Sequence, residues 1–82
     1  MEKSEIFEKM TEICRDVFEE ESLVVTESMT AADIKNWDSL THLTLVNELE
    51  TTFKVAFTID EVTGSKSLGE LLNALMKHIS EK

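Results

Sequence analysis

Asp38-Ser39-Leu40-Thr41-His42-Leu43-Thr44-Leu45-Val46-Asn47-Glu48-Leu49-Glu50-Thr51-Thr52-Phe53 is the segment on which the reading of this chain turns. Leu40, Leu43, Val46, Leu49 and Phe53 recur at spacings of three, three, three and four. That is the period of one face of an α-helix. Asp38 and Ser39 are both residue types whose side chains accept from the unpaired N–H groups of a helix start. The segment therefore predicts a helix beginning near Asp38 or Ser39 and ending about Phe53.

On the N-terminal side, Ile6, Met10, Ile13 and Val17 recur at spacings of four, three and four, with Phe7, Cys14 and Phe18 beside them. This is a second amphipathic helix. Ser4 is the expected cap, and the run Glu19-Glu20-Glu21, opposed by the helix dipole, is the expected stop. Residues 20–38 show no long helical period. Leu23, Val24, Val25, Met29, Ile34 and Trp37 are scattered there, as residues that pin a loop onto helices, and Thr30-Ala31-Ala32-Asp33 reads as one turn capped by Thr30. A loop of this length in a small domain points to function or to a missed element.

On the C-terminal side, Lys54 to Ile59 alternates like a strand, but no second strand is available to pair with it. Thr58-Ile59-Asp60-Glu61 reads as a capping box opening a short helix to about Thr63, ended by Gly64. Ser67-Leu68-Gly69-Glu70 reads as a second box, followed by Leu71, Leu72, Leu75, Met76 and Ile79 on a last helix. The expected fold is all-α: three main helices, one short helix, a long loop between the first two, and a single domain over residues 1–82.

The 82 residues hold two glycines and no proline, which suits helices and not a β-sandwich or barrel. Apolar residues make up 41 % of the chain, too many for a disordered acidic tail. The 17 acidic and 8 basic residues leave a net charge of −9, which repels nucleic acid and anionic membranes and favours partners with basic patches. A single cysteine, Cys14, excludes a disulfide framework. Met1 to Glu5 do not open a signal peptide, and no apolar run approaches the roughly 20 residues of a membrane span. A cytoplasmic monomer is the expectation.

Catalytic chemistry has little to stand on. Ser39 lacks the glycines of a nucleophile elbow. His42 lies within reach of Ser39 on a helix face, but neither an orienting partner nor an oxyanion hole is evident, and a surface histidine is the plainer reading. His78 is far in sequence from His42 and Cys14, so no metal spacing is present, and nothing matches a calcium loop. A serine at a helix start has one distinctive property. An anion attached there meets unpaired N–H groups and the positive end of the dipole. The plainer reading of Asp38 and Ser39, taken alone, is that they only cap the helix.

In its setting the tripeptide carries more. An acidic first helix, a long loop held by apolar residues, Asp38-Ser39-Leu40 opening an amphipathic helix, Leu49-Glu50-Thr51-Thr52-Phe53 near its end, a short third helix and a leucine-rich last one follow in order. Over nearly its whole length the chain resembles the acyl carrier proteins. The resemblance implies that a phosphopantetheinyl transferase, using coenzyme A and Mg²⁺, attaches 4′-phosphopantetheine to Ser39. The thiol of the arm would carry acyl or aminoacyl groups as thioesters for fatty-acid, polyketide or related biosynthesis, and the carrier itself would catalyse nothing. It also implies that Asp38 serves the transferase encounter and that Leu40 packs at enzyme interfaces. Glu48 and Glu50, extended by Asp60 and Glu61, would meet basic patches on acyl-loading and acyl-transferring enzymes. Leu43, Val46, Phe53, Ile59, Val62 and Leu71 would line a cargo cleft, though each also reads as an ordinary core residue.

The sequence departs from the fatty-acid-synthesis pattern. Asn36 and Trp37 stand where many members have glycine and a small residue, Thr41 and Thr44 where many have acids, and Asn47 where an apolar residue is common. A less acidic second helix binds basic patches more weakly, which points to a dedicated pathway. Trp37 reads as a loop anchor more than a partner contact. Two rivals come from other classes: a cofactor-free acidic interaction module, and a small hydrolase using Ser39 and His42.

Overall fold

The computed structural model describes residues 2–81. Among these residues four helices follow in order: α1 Lys3–Val17, α2 Ser39–Phe53, α3 Ile59–Gly64 and α4 Leu68–Ser80. Helix α1 packs on both α2 and α4, and α3 rests on α4. No strand occurs among the described residues. Lys54 to Thr58 is an irregular connection, and Thr30 and Ser67 form an isolated antiparallel β-bridge.

Helix α1 buries Ile6, Met10 and Cys14, a stripe at spacings of four. Ser4 is not its cap. Glu2 is, with extended backbone and no side-chain bond, and Ser4 lies inside the first turn. The helix also stops before the glutamate run. Glu19 adopts the left-handed conformation at φ 56°, so that its N–H reaches the Asp16 carbonyl and that of Glu20 the Arg15 carbonyl. That is a Schellman closure built on glutamate where glycine is the usual residue.

Helix α2 begins where the sequence places it, with Asp38 as cap, and closes on Lys54 at φ 57°. Its buried residues are Leu45, Val46, Leu49 and Phe53. The buried stripe is therefore rotated from the one read in the sequence: Leu40 and Leu43 are 74 % and 58 % exposed, and Leu45 is fully buried.

Helix α3 has the expected capping box, with Thr58 and Glu61 exchanging both bonds. Gly64 is its last residue and has no positive φ, so glycine geometry does not end it. Ser65 does, with extended backbone and its hydroxyl donating to the Glu61 carbonyl at 2.6 Å. At α4, Ser67 accepts from the Glu70 N–H at 3.2 Å, but the Glu70 carboxylate turns to the Lys66 N–H at 2.9 Å, so the second box is not reciprocal.

The long loop is held without secondary structure of its own. Val25, Ile34 and Trp37 bury their side chains in the core. Arg15 Nε donates to the Leu23 carbonyl at 2.8 Å and Asn36 Nδ2 to that of Phe18 at 2.7 Å. The loop carbonyls of Met29 and Glu27 accept from Leu68 and Gly69 at 2.9 and 2.8 Å, which pairs donors that α4 cannot pair itself. Thr30 forms the expected turn: its N–H donates to Asp33 Oδ2 at 3.0 Å and its hydroxyl accepts from Ala32 N–H at 3.2 Å.

Candidate functional site

The start of α2 is built by a reciprocal box. Asp38 Oδ1 accepts from the Thr41 N–H at 2.9 Å, and Thr41 Oγ1 accepts from the Asp38 N–H at 2.8 Å. The Thr41 hydroxyl in turn donates to the Asn36 carbonyl at 2.7 Å, tying the cap to the loop. These bonds hold the Asp38 carboxyl below the ordinary carboxylate range. The Thr41 N–H contributes most, the Thr41 hydroxyl and Leu40 N–H add to it, and partial desolvation opposes it.

Ser39 is thereby fixed as the first residue of α2. It is exposed, and its hydroxyl has no hydrogen-bond partner among the described residues. The first intrahelical bond runs from His42 N–H to the Asp38 carbonyl, so the N–H groups of Ser39 and Leu40 lie at the open end of the helix. Ser39 borders a cleft of about 580 Å³. Ala31, Trp37, Asp38, His42 and Leu43 line one side of it, and Val62, Thr63, Ser65 and Lys66 the other.

His42 spans this cleft. Its Nε2 is 2.7 Å from the Val62 carbonyl and its Nδ1 accepts from the Trp37 indole N–H at 3.1 Å. Both ring nitrogens are engaged away from Ser39, so the imidazole is not a base for that hydroxyl, and it is not the plain surface histidine the sequence suggests. Trp37 is 6 % exposed, tilted on Phe18 with ring centroids 5.8 Å apart and stacked on His42 at 5.9 Å. It is an anchor, as its sequence context indicates.

The four acids expected to form a recognition surface divide into two kinds. Glu48 and Asp60 are exposed. Glu50 Oε2 accepts from the Phe57 N–H at 2.8 Å and fastens the α2–α3 connection. Glu61 accepts from Thr58 N–H at 2.8 Å and lies 2.7 Å from His78 Nε2. The Thr58 N–H foremost, then His78, keep its carboxyl below the usual range. Of the expected cleft residues, Leu43 and Val62 do line the cleft, Val46, Phe53 and Leu71 are in the core, and Ile59 is 81 % exposed. Cleft residues that sequence reasoning did not reach, such as Thr63, Ser65 and Lys66, come from the end of α3 and the α3–α4 turn and carry no local signal. Cys14 is fully buried and its thiol is pushed up to about 12 by desolvation, which makes it chemically inert. Among the described residues, no helix is long and apolar enough to cross a membrane.

Residues 8–75 match the family described as "Phosphopantetheine attachment site". The chain belongs to that family. It is also similar to the holo acyl carrier protein of Geobacter metallireducens, whose structure was solved in solution by NMR. The two are 35 % identical and superpose with a TM-score of 0.84 over 90 % of this chain and 85 % of that one. Among curated proteins no sequence matches. The protein is thus a phosphopantetheine-bearing carrier of acyl-carrier-protein type, a substrate for phosphopantetheinyl transfer and not an enzyme.

Proposed function

We propose that the chain acts as one carrier unit in which Ser39 bears the 4′-phosphopantetheine arm through a phosphodiester. The observation that carries this reading is the Ser39 hydroxyl: exposed, without a hydrogen-bond partner among the described residues, at the first residue of a helix and on the rim of a cleft. A phosphodiester there meets the N–H at the head of the helix and the positive end of the α2 dipole. The arm supplies a thiol, through which acyl or aminoacyl cargo is held as a thioester and presented to partner enzymes of fatty-acid, polyketide or related biosynthesis. Action as a cytoplasmic monomer belongs to the same reading.

Asp38 shapes the approach of the transferase by holding the helix start rigid with its charge retained. Leu40, beside Ser39 and mostly exposed, offers the apolar contact for docking enzymes. Glu48 and Asp60 remain open to basic patches, whereas Glu50 and Glu61 already serve the fold. Besides Leu40 and Glu48, the exposed residues of α2 are Ser39, Leu43, Thr44, Asn47, Thr51 and Thr52, all uncharged. A face with so little charge supports a dedicated set of partners in preference to ones that steer by charge alone.

The test is intact mass after incubation with coenzyme A, Mg²⁺ and a broad-specificity phosphopantetheinyl transferase. A gain of one phosphopantetheine unit in the wild type and none in Ser39→Ala is expected. Modification of Ser39→Ala, or none in folded wild type, overturns the assignment to Ser39.

A further inference from the structure

Helix α3 forms one wall of the Ser39 cleft, yet none of its six residues, Ile59–Gly64, is buried. Apolar burial, which holds the other helices, is limited here to Val62, partly buried against the core. Two imidazoles from two other helices tie it in place: His42 of α2 at the Val62 carbonyl and His78 of α4 at Glu61 Oε1, each at 2.7 Å. His42 goes further, because its second nitrogen takes the Trp37 indole N–H at 3.1 Å. One side chain thus joins the end of the long loop, α2 and α3, the three segments around Ser39.

The bonding specifies the state of the ring. A carbonyl only accepts, so Nε2 carries the hydrogen. An indole N–H only donates, so Nδ1 is bare. The imidazole is neutral in this arrangement. A proton added at Nδ1 sets two donors facing each other at the Trp37 contact with no acceptor between them. The Nε2–H bond to Val62 survives the same event and becomes charge-assisted. Protonation therefore acts on one side of the ring only.

We propose that His42 is the positioning residue of the Ser39 cleft, and that its protonation releases the Trp37 indole from the cleft wall while α3 stays tied to α2. The role of this cleft as the bed of the arm rests on the carrier reading above. The charged groups around it are Asp38 from the loop–α2 junction and Lys66 from the α3–α4 turn, both lining the cleft, and Glu61 of α3, next to Val62 and engaged by His78 of α4. From the end of α1 the neighbour behind Trp37 is Phe18, which is uncharged. Trp37 immediately precedes Asp38 and Ser39, so its release loosens the approach to the α2 cap.

The chain has one tryptophan and two histidines, which makes the test direct. The ¹⁵N-labelled protein without the arm is titrated by NMR from about pH 8 to about pH 5, the interval in which histidine changes charge. At the upper end His42 is expected to show a protonated Nε2 and a bare Nδ1. As the pH falls, the single indole resonance shifts with the same midpoint as the His42 ring, and exchange of the indole proton with solvent speeds up several-fold. His78→Gln leaves this response in place. His42→Gln, which keeps an N–H for Val62 and has nothing to titrate, abolishes it. The opposite tautomer, an indole that does not respond, or a response that follows His78 overturns the proposal, and the wild-type titration decides it even if a variant misfolds. No arm is needed, so failure here leaves the mass test of Ser39 untouched, and failure of that test leaves this titration readable.

Discussion

The Gly69 amide donates to the Glu27 carbonyl at 2.8 Å, and a Cβ built on Gly69 would lie 2.8 Å from that same oxygen. The start of α4 and the long loop touch backbone to backbone, with no space for a side chain. Helix propensity alone favours alanine over glycine by about 1 kcal/mol. Overpacking against a backbone atom that cannot rotate away costs about 1–3 kcal/mol and strains the hydrogen bond as well. Gly69→Ala is expected to destabilise by up to about 2 kcal/mol in urea unfolding, the net of these terms. Gly64 has nothing within 4 Å of its Cβ position, so Gly64→Ala is expected to be neutral or stabilising by up to about 1 kcal/mol. A reversed order of the two variants refutes this picture of the loop–α4 contact.

The rotation of α2 separates two leucines that sequence periodicity alone misassigns. Leu45 is fully buried and Leu43 is 58 % exposed. Leu45→Ala is expected to cost about 2–5 kcal/mol by lost burial and a residual cavity. Leu43→Ala is expected to stay within about 0.5 kcal/mol, as a surface change does. Chemical denaturation of both, compared at equal m-values, checks the assignment, and equal losses would contradict it.

Glu48 and Glu50 differ in the same way. Glu50→Ala removes the acceptor of the Phe57 N–H, a bond to a charged group worth about 1–2 kcal/mol, and loosens the approach to α3. Glu48→Ala removes only exposed charge and leaves the unfolding midpoint where it is. In a modification assay with a transferase bearing a basic patch, the Glu48 variant is expected to show the weaker dependence on salt at unchanged stability. A stability loss in Glu48→Ala, or none in Glu50→Ala, would show the two roles to be misassigned.

Acid is expected to weaken the fold through Asp38 and Glu61, whose carboxyls both lie below their ordinary values of 3.8 and 4.5. A carboxylate held lower in the fold contributes stability that is fully present above its unfolded value and lost as the pH falls through its folded value. Wild type should therefore lose stability more steeply than Asp38→Asn below about pH 4, and more steeply than Glu61→Gln from slightly higher. Thermal melts from neutral pH to about pH 2.5 read the difference. Parallel curves for variant and wild type would refute it.

The legible parts of the chain were those in which cause and effect lie within one helical turn. The Asp38 cap, the Thr58–Glu61 box and the turn at Thr30 are each closed by groups two or three residues apart. The misread parts have equally specific causes. Glu19 and Lys54 end α1 and α2 in the left-handed conformation, where the usual marker is a glycine and neither position has one. Leu40, Leu43, Leu45, Val46 and Leu49 crowd α2 so densely that more than one face satisfies the helical period, and packing against α1 selects the one centred on Leu45, Val46 and Leu49.

Element order, the carrier family and the serine at the head of α2 were within reach of the sequence, because periodicity, caps and the setting of Asp38-Ser39-Leu40 are local and survive without coordinates. Three-dimensional contact was needed to show that Glu50 and Glu61 are engaged while Glu48 is open, that Leu43 faces outward, and that His42 bridges Trp37 and Val62. The reason is separation along the chain. The partners of His42 lie five and twenty residues away, that of Glu50 seven, and the His78 bond to Glu61 spans seventeen. At such separations a side chain's burial and protonation follow from which segments pack together, and no residue type or spacing announces that in advance.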